Sequence, residues 1–249
     1  MRVEYAEASL VGGREDNQDR CAIAASDDAV LLVVIDGMGG HADGALAAAT
    51  AQKLLVEAFE QTPHPLFDPL GFLHLTLGRM HEAVVALAGA LPVEKRPRAT
   101  CAVCLVQGNS AYWAHVGDSR VYLIRDGRVL ERTRDHSHVE YLIREGLITE
   151  HQAQAHPMRN FVECCLGGEP LLPEMATSGR RALQAGDVLL VCSDGLWGPI
   201  EQELIPRALT RAGEALAEAL GGLARHAVAA GGPGADNTTA TALRWLGPG

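Results

Sequence analysis

A run of five apolar residues that ends in a carboxylate constrains the fold more than any other part of the chain. The run, LLVVI, covers residues 31–35, and Asp36 follows it directly. The stretch GMGG and an alanine-rich segment come next. The apolar run, which is mostly β-branched, predicts a buried strand, and the alanine-rich segment predicts a helix. Asp36 is therefore expected where a strand ends and the chain turns sharply.

Three other aspartates, far apart in the sequence, lie in the same setting. Asp118 follows SAYWAHV and a glycine, and Asp194 closes DVLLVCS before a glycine. Asp236 precedes Asn237 and the last strand-like run. A single aspartate at a strand end usually caps a turn or a helix, but strand ends bring distant segments together. Clustered carboxylates repel one another unless a hard cation such as Mg²⁺ or Mn²⁺ binds them. The sequence thus favours a metal cluster over four independent turns.

The stretch after Asp36 also satisfies a dinucleotide-binding pattern. GMGGHA, at residues 37–42, fits G-x-G-x-x-A between a predicted strand and a predicted helix. In that motif, an acid at the end of a second parallel strand binds the ribose. Glu57 and Glu60 have nearly the right spacing, but they lie inside the helical AQKLLVEAFEQ. The sequence context therefore favours the metal hypothesis over the dinucleotide hypothesis.

The charge balance and the lack of long apolar runs restrict the partners. The 249 residues include 21 Lys and Arg against 31 Asp and Glu, a net charge of -10. A negative surface argues against binding to nucleic acid or to an anionic membrane. No apolar run approaches the ~20 residues of a membrane helix, and the N-terminus lacks the apolar core of a signal peptide. We expect a cytoplasmic monomer that binds neither nucleic acid nor membrane.

Groups of predicted strands are separated from groups of predicted helices. Four short β-like runs lie within residues 99–134, and a strong hairpin signal joins two of them. Helical patterns cover about 42–60 and 201–230. This grouping indicates a single α+β domain over residues 1–249. Cys101 and Cys104 resemble half a zinc site, but residues three apart in a strand point to opposite faces, so we interpret both as core residues.

Six segments together resemble a known family. They are VGGREDNQD, VVIDGMGGHADG, AHVGDSRVYLIRDG, TRDHS, DVLLVCSDGLWG and DNTTAT. In this order they resemble the motifs of bacterial metal-dependent serine/threonine protein phosphatases of the PP2C (PPM) type, over about residues 13–241. The resemblance implies a four-layer αββα sandwich of two antiparallel sheets flanked by helices. It also implies a flap-like insertion around residues 137–175.

The resemblance also implies an activity. Members hydrolyse phosphoserine and phosphothreonine in proteins with a water activated by two Mn²⁺ or Mg²⁺ ions, and a third ion occurs in bacterial members. The expected partners are phosphorylated protein substrates and a bacterial Ser/Thr kinase that the phosphatase opposes. Two ions ~3.5–4 Å apart can activate a shared water for in-line attack on phosphorus.

The metal-binding roles of the family correspond to particular residues of this chain. Asp36 matches the carboxylate that bridges both catalytic metals, and the Gly37 carbonyl matches a further ligand. Asp194 and Asp236 match the carboxylates that hold one metal. Asp19, at the end of NQD, matches the acid that holds the other metal through water.

The resemblance also implies roles for Asp118 and Arg14, and it implies that Met38 has no catalytic role. Asp118 matches a ligand of the third metal. Arg14 matches the arginine that binds substrate phosphate, and a guanidinium fork binds two oxygens at once. Met38 stands where some eukaryotic members have a histidine general acid, and a thioether cannot donate a proton. Metal-bound water or another group must then protonate the leaving group, and His41 is as well explained as a helix-start residue.

Two other functions are compatible with the same motifs. A catalytically weak module that binds a phosphoprotein would be expected to have damaged metal positions, and the sequence shows none. A phosphoesterase for small molecules would share every motif. Relative rates on phosphopeptides and on metabolite phosphates separate this last alternative from a protein phosphatase.

Overall fold

The computed structural model describes residues 1–38 and 41–249. Gly39 and Gly40 of the dinucleotide pattern lie outside the described residues, as does the side chain of His41. Within the described part of the chain, no helix is both long and apolar enough to cross a bilayer.

The strands follow one another along the whole chain. In order they are β1 (Arg2–Leu10), β2 (Arg20–Ala25), β3 (Ala29–Ile35), β4 (Gly37–Met38), β5 (Arg98–Ala99), β6 (Cys101–Gln107), β7 (Ser110–Val116), β8 (Arg120–Arg125), β9 (Arg128–Arg132), β10 (Leu166–Gly167), β11 (Ala176–Thr177), β12 (Arg181–Ala182), β13 (Val188–Cys192) and β14 (Thr238–Gly247).

The helices lie in three groups between these strands. They are α1 (His41–Gln61), α2 (Pro69–Leu87), α3 (His138–Arg144), α4 (Glu150–Gln154), α5 (Asp194–Trp197), α6 (Leu204–Leu209) and α7 (Leu216–Gly231). The start of α2 follows directly from its sequence. Asp68 accepts a hydrogen bond from the Gly71 amide as the N-cap, and Pro69 occupies the first turn, where its missing amide hydrogen costs nothing.

The strands form two large antiparallel sheets. The first has the order β1-β14-β13-β8-β9, and the second has the order β11-β7-β6-β3-β2 with β12 also paired to β7. The short strands β10, β5 and β4 form a small third sheet. The two ends of the chain meet in the first sheet, because β1 pairs with β14 along its whole length.

Three separate apolar clusters show that the sheets and helices form four layers. One cluster joins the second sheet to α1 and α2, and another joins the first sheet to α5, α6 and α7. The third lies between the two sheets. Strand β3 contributes alternate residues to two of these clusters: Leu31 and Val33 face the helices, whereas Leu32 and Val34 face the other sheet. This explains why LLVVI has no polar residue.

The predicted α+β class and the αββα sandwich are therefore confirmed. The strand pairs in the described residues are antiparallel, so β3 and α1 do not belong to the parallel βαβ unit that a dinucleotide site requires. Cys101 and Cys104 are buried on opposite faces of β6, as their spacing predicts.

Candidate metal centre

Asp36 lies where β3 ends and the chain turns into β4. Its carbonyl accepts a hydrogen bond of 2.8 Å from the Thr100 amide, which fixes the backbone at this corner. Gly37 must be a glycine because the chain is too close for a side chain. A Cβ at this position would collide with the Gly44 carbonyl and would lie 2.8 Å from the Gln18 carbonyl. The backbone of both residues is therefore held in place at this corner.

Thr100 also connects Asp36 to the loop that carries Asp118. The Thr100 hydroxyl lies 2.7 Å from the Ser119 hydroxyl, and both side chains are buried. Gly117 has φ 100°, and a Cβ there would lie 2.6 Å from the Thr100 Cβ. Positive φ at this position favours glycine, and the close approach leaves no room for another residue. Asp118 is only 6% exposed as a result.

A buried arginine supports the same loop from behind. Arg120 makes two hydrogen bonds to the carboxylate of Asp135, of 2.8 and 2.7 Å. Its guanidinium lies 3.3 Å from the ring centroid of Trp197. The Trp197 indole in turn donates a 3.1 Å hydrogen bond to the Asp118 carbonyl. This chain of contacts holds the backbone of Asp118 against α5.

Asp194 is the first residue of α5 and lies two residues after the end of β13. Ser193 precedes it as the N-cap residue, and its hydroxyl points away from the helix toward Asp19. The Gly195 carbonyl accepts a 3.1 Å hydrogen bond from Thr238 at the start of β14. The ends of β13 and β14 are thus connected beside Asp194, and Asp236 lies two residues before β14.

Asn237 holds the N-terminal loop against the end of β14. Its side-chain amide donates to the carbonyls of Val11 and Asp16, at 2.8 and 2.9 Å. Its side-chain oxygen accepts from the Gln18 amide at 2.8 Å. These three bonds carry the segment between β1 and β2 to the position of Asp236. Arg14, in this segment, donates from Nη2 to Asp236 Oδ2 at 2.8 Å.

The carboxylates predicted from the sequence lie close enough to act on one another. Burial raises the pKa of Asp36 well above its usual value, and four negative neighbours raise it further: Asp19, Asp194, Asp118 and Asp236. Burial raises the pKa of Asp19 to about 7, against the lowering effects of the Ser193 hydroxyl and then the Thr239 hydroxyl. Burial and then Asp236 raise the pKa of Asp194 to about 6. The structure therefore brings all five aspartates to one end of the sandwich.

The chemistry of this cluster fits a hard divalent cation. Its donors are carboxylate and carbonyl oxygens, the ligands that Mg²⁺ and Mn²⁺ prefer. Asp19 Oδ1 is buried without a hydrogen-bond partner, although a buried carboxylate oxygen normally has one. Among residues 1–38 and 41–249, no group of three or more His, Cys, Asp and Glu side chains has the geometry to hold a metal ion. The carboxylates would therefore have to tighten around a bound cation.

Three residues that assemble this cluster have no distinguishing signal in the sequence. Ser193, Thr100 and Asn237 each make the contacts described above, and each belongs to a different segment of the chain. Thr100 and Ser193 are also completely buried. A polar side chain next to a strand end has many ordinary roles, so only the tertiary contacts reveal these three.

Similar proteins share this fold. The chain is 34% identical over 226 residues to "Serine/threonine protein phosphatase PstP" of Mycobacterium tuberculosis, which covers 91% of this chain and 41% of that protein. The chain thus spans about two-fifths of the length of this relative. Staphylococcus aureus serine/threonine phosphatase Stp1 has 28% identity and a TM-score of 0.87, and the match covers 99% of this chain and 96% of that one.

A further crystal structure bears on the metal. It is described as the catalytic domain of PstP in complex with two manganese ions. It has 31% identity and a TM-score of 0.82, and the match covers 98% of both chains.

The fold and the site together define an αββα sandwich protein with an aspartate cluster at one end of its two sheets. The sequence profile of the family described as Protein phosphatase 2C matches residues 11–227. The chain belongs to this family.

Proposed function

We propose that this protein hydrolyses phosphoserine and phosphothreonine in other proteins with the help of two divalent cations, Mn²⁺ or Mg²⁺. One observation carries the proposal: four other carboxylates lie close enough to raise the pKa of Asp36, and Arg14 contacts one of them. An all-oxygen cluster suited to hard divalent cations, with a guanidinium beside it, suits a phosphate ester, whose oxygens bind both. The names of the relatives support the same activity.

The carboxylates divide between the cations. Asp36 would bridge both ions, and the Gly37 carbonyl would add a further ligand. Asp194 and Asp236 would hold one ion, and Asp19 would hold the other through water. In support, the orphaned Asp19 Oδ1 is available for such a contact. Asp118 would bind a third ion.

The protein side chains bind and orient the phosphoryl group. When bound, the two cations activate a water for attack on phosphorus and neutralise charge on the phosphoryl oxygens. Arg14 would bind the phosphoryl group. It contacts Asp236 through Nη2, and 57% of its side chain is exposed, so other guanidinium donors can reach a substrate. Asp236 would thus orient the guanidinium while the rest of the fork binds two phosphate oxygens.

Hydrolysis assays test the proposal directly. A phosphothreonine peptide, p-nitrophenyl phosphate and a set of metabolite phosphates would be incubated with Mn²⁺, with EDTA, and with the variant Asp36→Asn. We expect phosphopeptide hydrolysis that requires Mn²⁺ and is lost in Asp36→Asn. Asp27→Asn, an exposed aspartate in the turn before β3, is the matched control and should retain full activity.

Three results would contradict the proposal. Activity that survives both EDTA and Asp36→Asn would exclude a metal-dependent reaction at this cluster. Tight phosphopeptide binding without turnover at saturating Mn²⁺ would instead indicate a binding module. Faster hydrolysis of a metabolite phosphate than of every phosphopeptide would indicate a small-molecule phosphoesterase.

The proposal extends to the partners, the location and the domain organisation of the protein. The partners would be phosphorylated proteins and the Ser/Thr kinase that modifies them, and the protein would act in the cytoplasm as a monomer. The net charge of -10 speaks against nucleic acid and anionic membranes as partners. Residues 1–249 would form one phosphatase domain, and residues 137–175, which include α3 and α4, would serve as a flap beside the substrate.

A further inference from the structure

The two oxygens of the Asp19 carboxylate have different surroundings. Oδ2 accepts a 2.8 Å hydrogen bond from the Ser193 hydroxyl, whereas Oδ1 is buried without a partner. Asp19 is only 3% exposed, and Ser193 is completely buried. A carboxylate can rotate so that either oxygen points in a given direction. The 2.8 Å hydrogen bond from Ser193 restricts this freedom and leaves Oδ1 as the oxygen without a hydrogen-bond partner.

The backbone of β14 fixes the Ser193 hydroxyl in turn. The Thr239 amide donates to Ser193 Oγ at 3.1 Å, and the Ser193 amide donates to the Thr239 carbonyl at 2.9 Å. Because Oγ already accepts one hydrogen bond, its own proton is directed at Asp19 Oδ2, which is closer than the Thr239 carbonyl at 3.4 Å. Thr239 is itself held in register with Ser9 of β1. The orientation of Asp19 is therefore set by the first sheet.

The position of Ser193 in the sequence adds a second consequence. Ser193 directly precedes Asp194, and in the assignment proposed above the two side chains act on different cations. Ser193 contacts Asp19, which we assign to one cation, whereas Asp194 belongs to the other. A change at Ser193 should therefore affect one cation far more than the other.

We infer that Ser193 is a positioning residue that presents Asp19 Oδ1 to one of the two cations or to a water bound to that cation. The inference rests on the proposed function, since it requires the metal centre described there. Partners of metal ligands commonly change metal affinity by ~10–100-fold when they are removed. A merely structural hydroxyl would change stability without separating the two cations.

Mn²⁺ binding to the purified protein, measured by calorimetry and by the electron paramagnetic resonance signal of free Mn²⁺, tests the inference without an activity assay. We expect two classes of high-affinity Mn²⁺ site in the wild-type protein, apart from the third ion assigned to Asp118. In Ser193→Ala, one class should weaken by ~10–100-fold and the other should keep its affinity. Ser193→Cys preserves the side-chain shape with a weaker hydrogen-bond donor. The Mn²⁺ affinity of the weakened class should therefore lie between those of the wild type and Ser193→Ala. This variant also replaces Ser193→Ala if the latter folds poorly.

Thr241→Val provides a matched control. Thr241 lies on β14, two residues beyond Thr239, and its buried hydroxyl has no hydrogen-bond partner. Thr241→Val removes a buried hydroxyl from the same strand while preserving the shape of the side chain. Both classes of Mn²⁺ site should be unchanged in this variant.

A double variant tests whether Ser193 changes the Mn²⁺ affinity through Asp19. If Ser193 acts through Asp19, Ser193→Ala should have no further effect on Mn²⁺ binding in an Asp19→Asn background. Unchanged Mn²⁺ affinities in folded Ser193→Ala, equal weakening of both classes, or an undiminished effect in the Asp19→Asn background would each overturn the inference while leaving the proposed function standing. A wild-type protein that binds no Mn²⁺ would overturn both.

Discussion

Arg14 Nη2 lies 2.8 Å from Asp236 Oδ2, which joins the candidate phosphate-binding arginine to a candidate metal ligand across 222 positions of sequence. The side chains of the pair are 57% and 40% exposed. An ion pair this exposed contributes at most about 1 kcal/mol to stability. Its importance is therefore geometric, because it places a guanidinium at the edge of the carboxylate cluster.

The first prediction concerns the role of Arg14 in substrate binding. Arg14→Ala should lower kcat/KM for a phosphothreonine peptide by ~10–100-fold, because a hydrogen bond between charged groups contributes about 1.5–3 kcal/mol. The free energy of unfolding should change by less than about 1 kcal/mol. Steady-state kinetics and urea unfolding measure both. Arg211→Ala removes an exposed ion pair with Glu214 elsewhere and should leave kcat/KM unchanged. Equal kinetics for the two variants would contradict the assignment.

The second prediction concerns the buried ion pair behind Asp118. The side chains of Arg120 and Asp135 are 8% and 5% exposed. Asp135→Asn should lower the free energy of unfolding by about 3–5 kcal/mol, since it leaves a buried guanidinium without its counter-charge. Glu145→Gln, which breaks the exposed pair with Arg144, should cost less than about 1 kcal/mol. Similar urea midpoints for both variants would show that the buried pair does not support the fold.

The third prediction concerns the close packing at Gly37. Gly37→Ala should destabilise the fold and weaken Mn²⁺ binding, because its Cβ would collide with the Gly44 carbonyl. Gly78 is the matched control: it lies inside α2, and a Cβ there would meet nothing within 4 Å. Gly78→Ala should therefore stabilise the protein by roughly 0.5–1 kcal/mol. Thermal unfolding with and without Mn²⁺ compares the two. A Gly37→Ala protein as stable as the wild type would contradict the packing at this corner.

The fourth prediction concerns pH and the cost of the Asp19 charge. Burial raises the pKa of Asp19 from 3.8 to about 7 in the folded protein. Between these values the folded state binds more protons than the unfolded state, so this group lowers the free energy of unfolding as pH rises. In EDTA, Asp19→Asn should match the wild type near pH 4 and exceed it above pH 7 by roughly 2–4 kcal/mol. Urea unfolding across this range measures the gap.

A gap between Asp19→Asn and the wild type that shrinks as pH rises would contradict that pKa shift. Saturating Mn²⁺ should reverse the ranking above pH 7, because bound cations offset the repulsion between the carboxylates and Asn is a poorer ligand. The same unfolding experiment with Mn²⁺ in place of EDTA tests the reversal.

Much of the fold could be predicted from local patterns. The apolar run before Asp36 is buried on both faces because β3 lies in a sheet between a helical layer and the other sheet. The hairpin signal at residues 126–127 corresponds to the turn between β8 and β9, where Asp126 has φ 50°. Both features leave a signal in a short stretch of sequence, and that signal made them predictable.

The assembly of the site could not be predicted in the same way. The sequence indicates that Asp194 ends a strand, but the Ser193 hydroxyl acts on Asp19, 174 positions away. Asn237 likewise binds three groups in the segment between β1 and β2. Such contacts depend on the pairing of β1 with β14, which no local pattern specifies. The motif resemblance names the ligands, whereas the tertiary structure shows what holds them.

The number of Mn²⁺ ions bound by Asp36→Asn, measured by calorimetric titration, tests the central claim most directly. Asp36 is the carboxylate whose pKa is raised by all four of the others, and we assign it to both cations. The wild-type protein should bind two Mn²⁺ ions with high affinity. A folded Asp36→Asn protein should lose tight binding of both, because they share this ligand. If Asp36→Asn still bound two Mn²⁺ ions with wild-type affinity, Asp36 would not be the residue on which the metal centre is built.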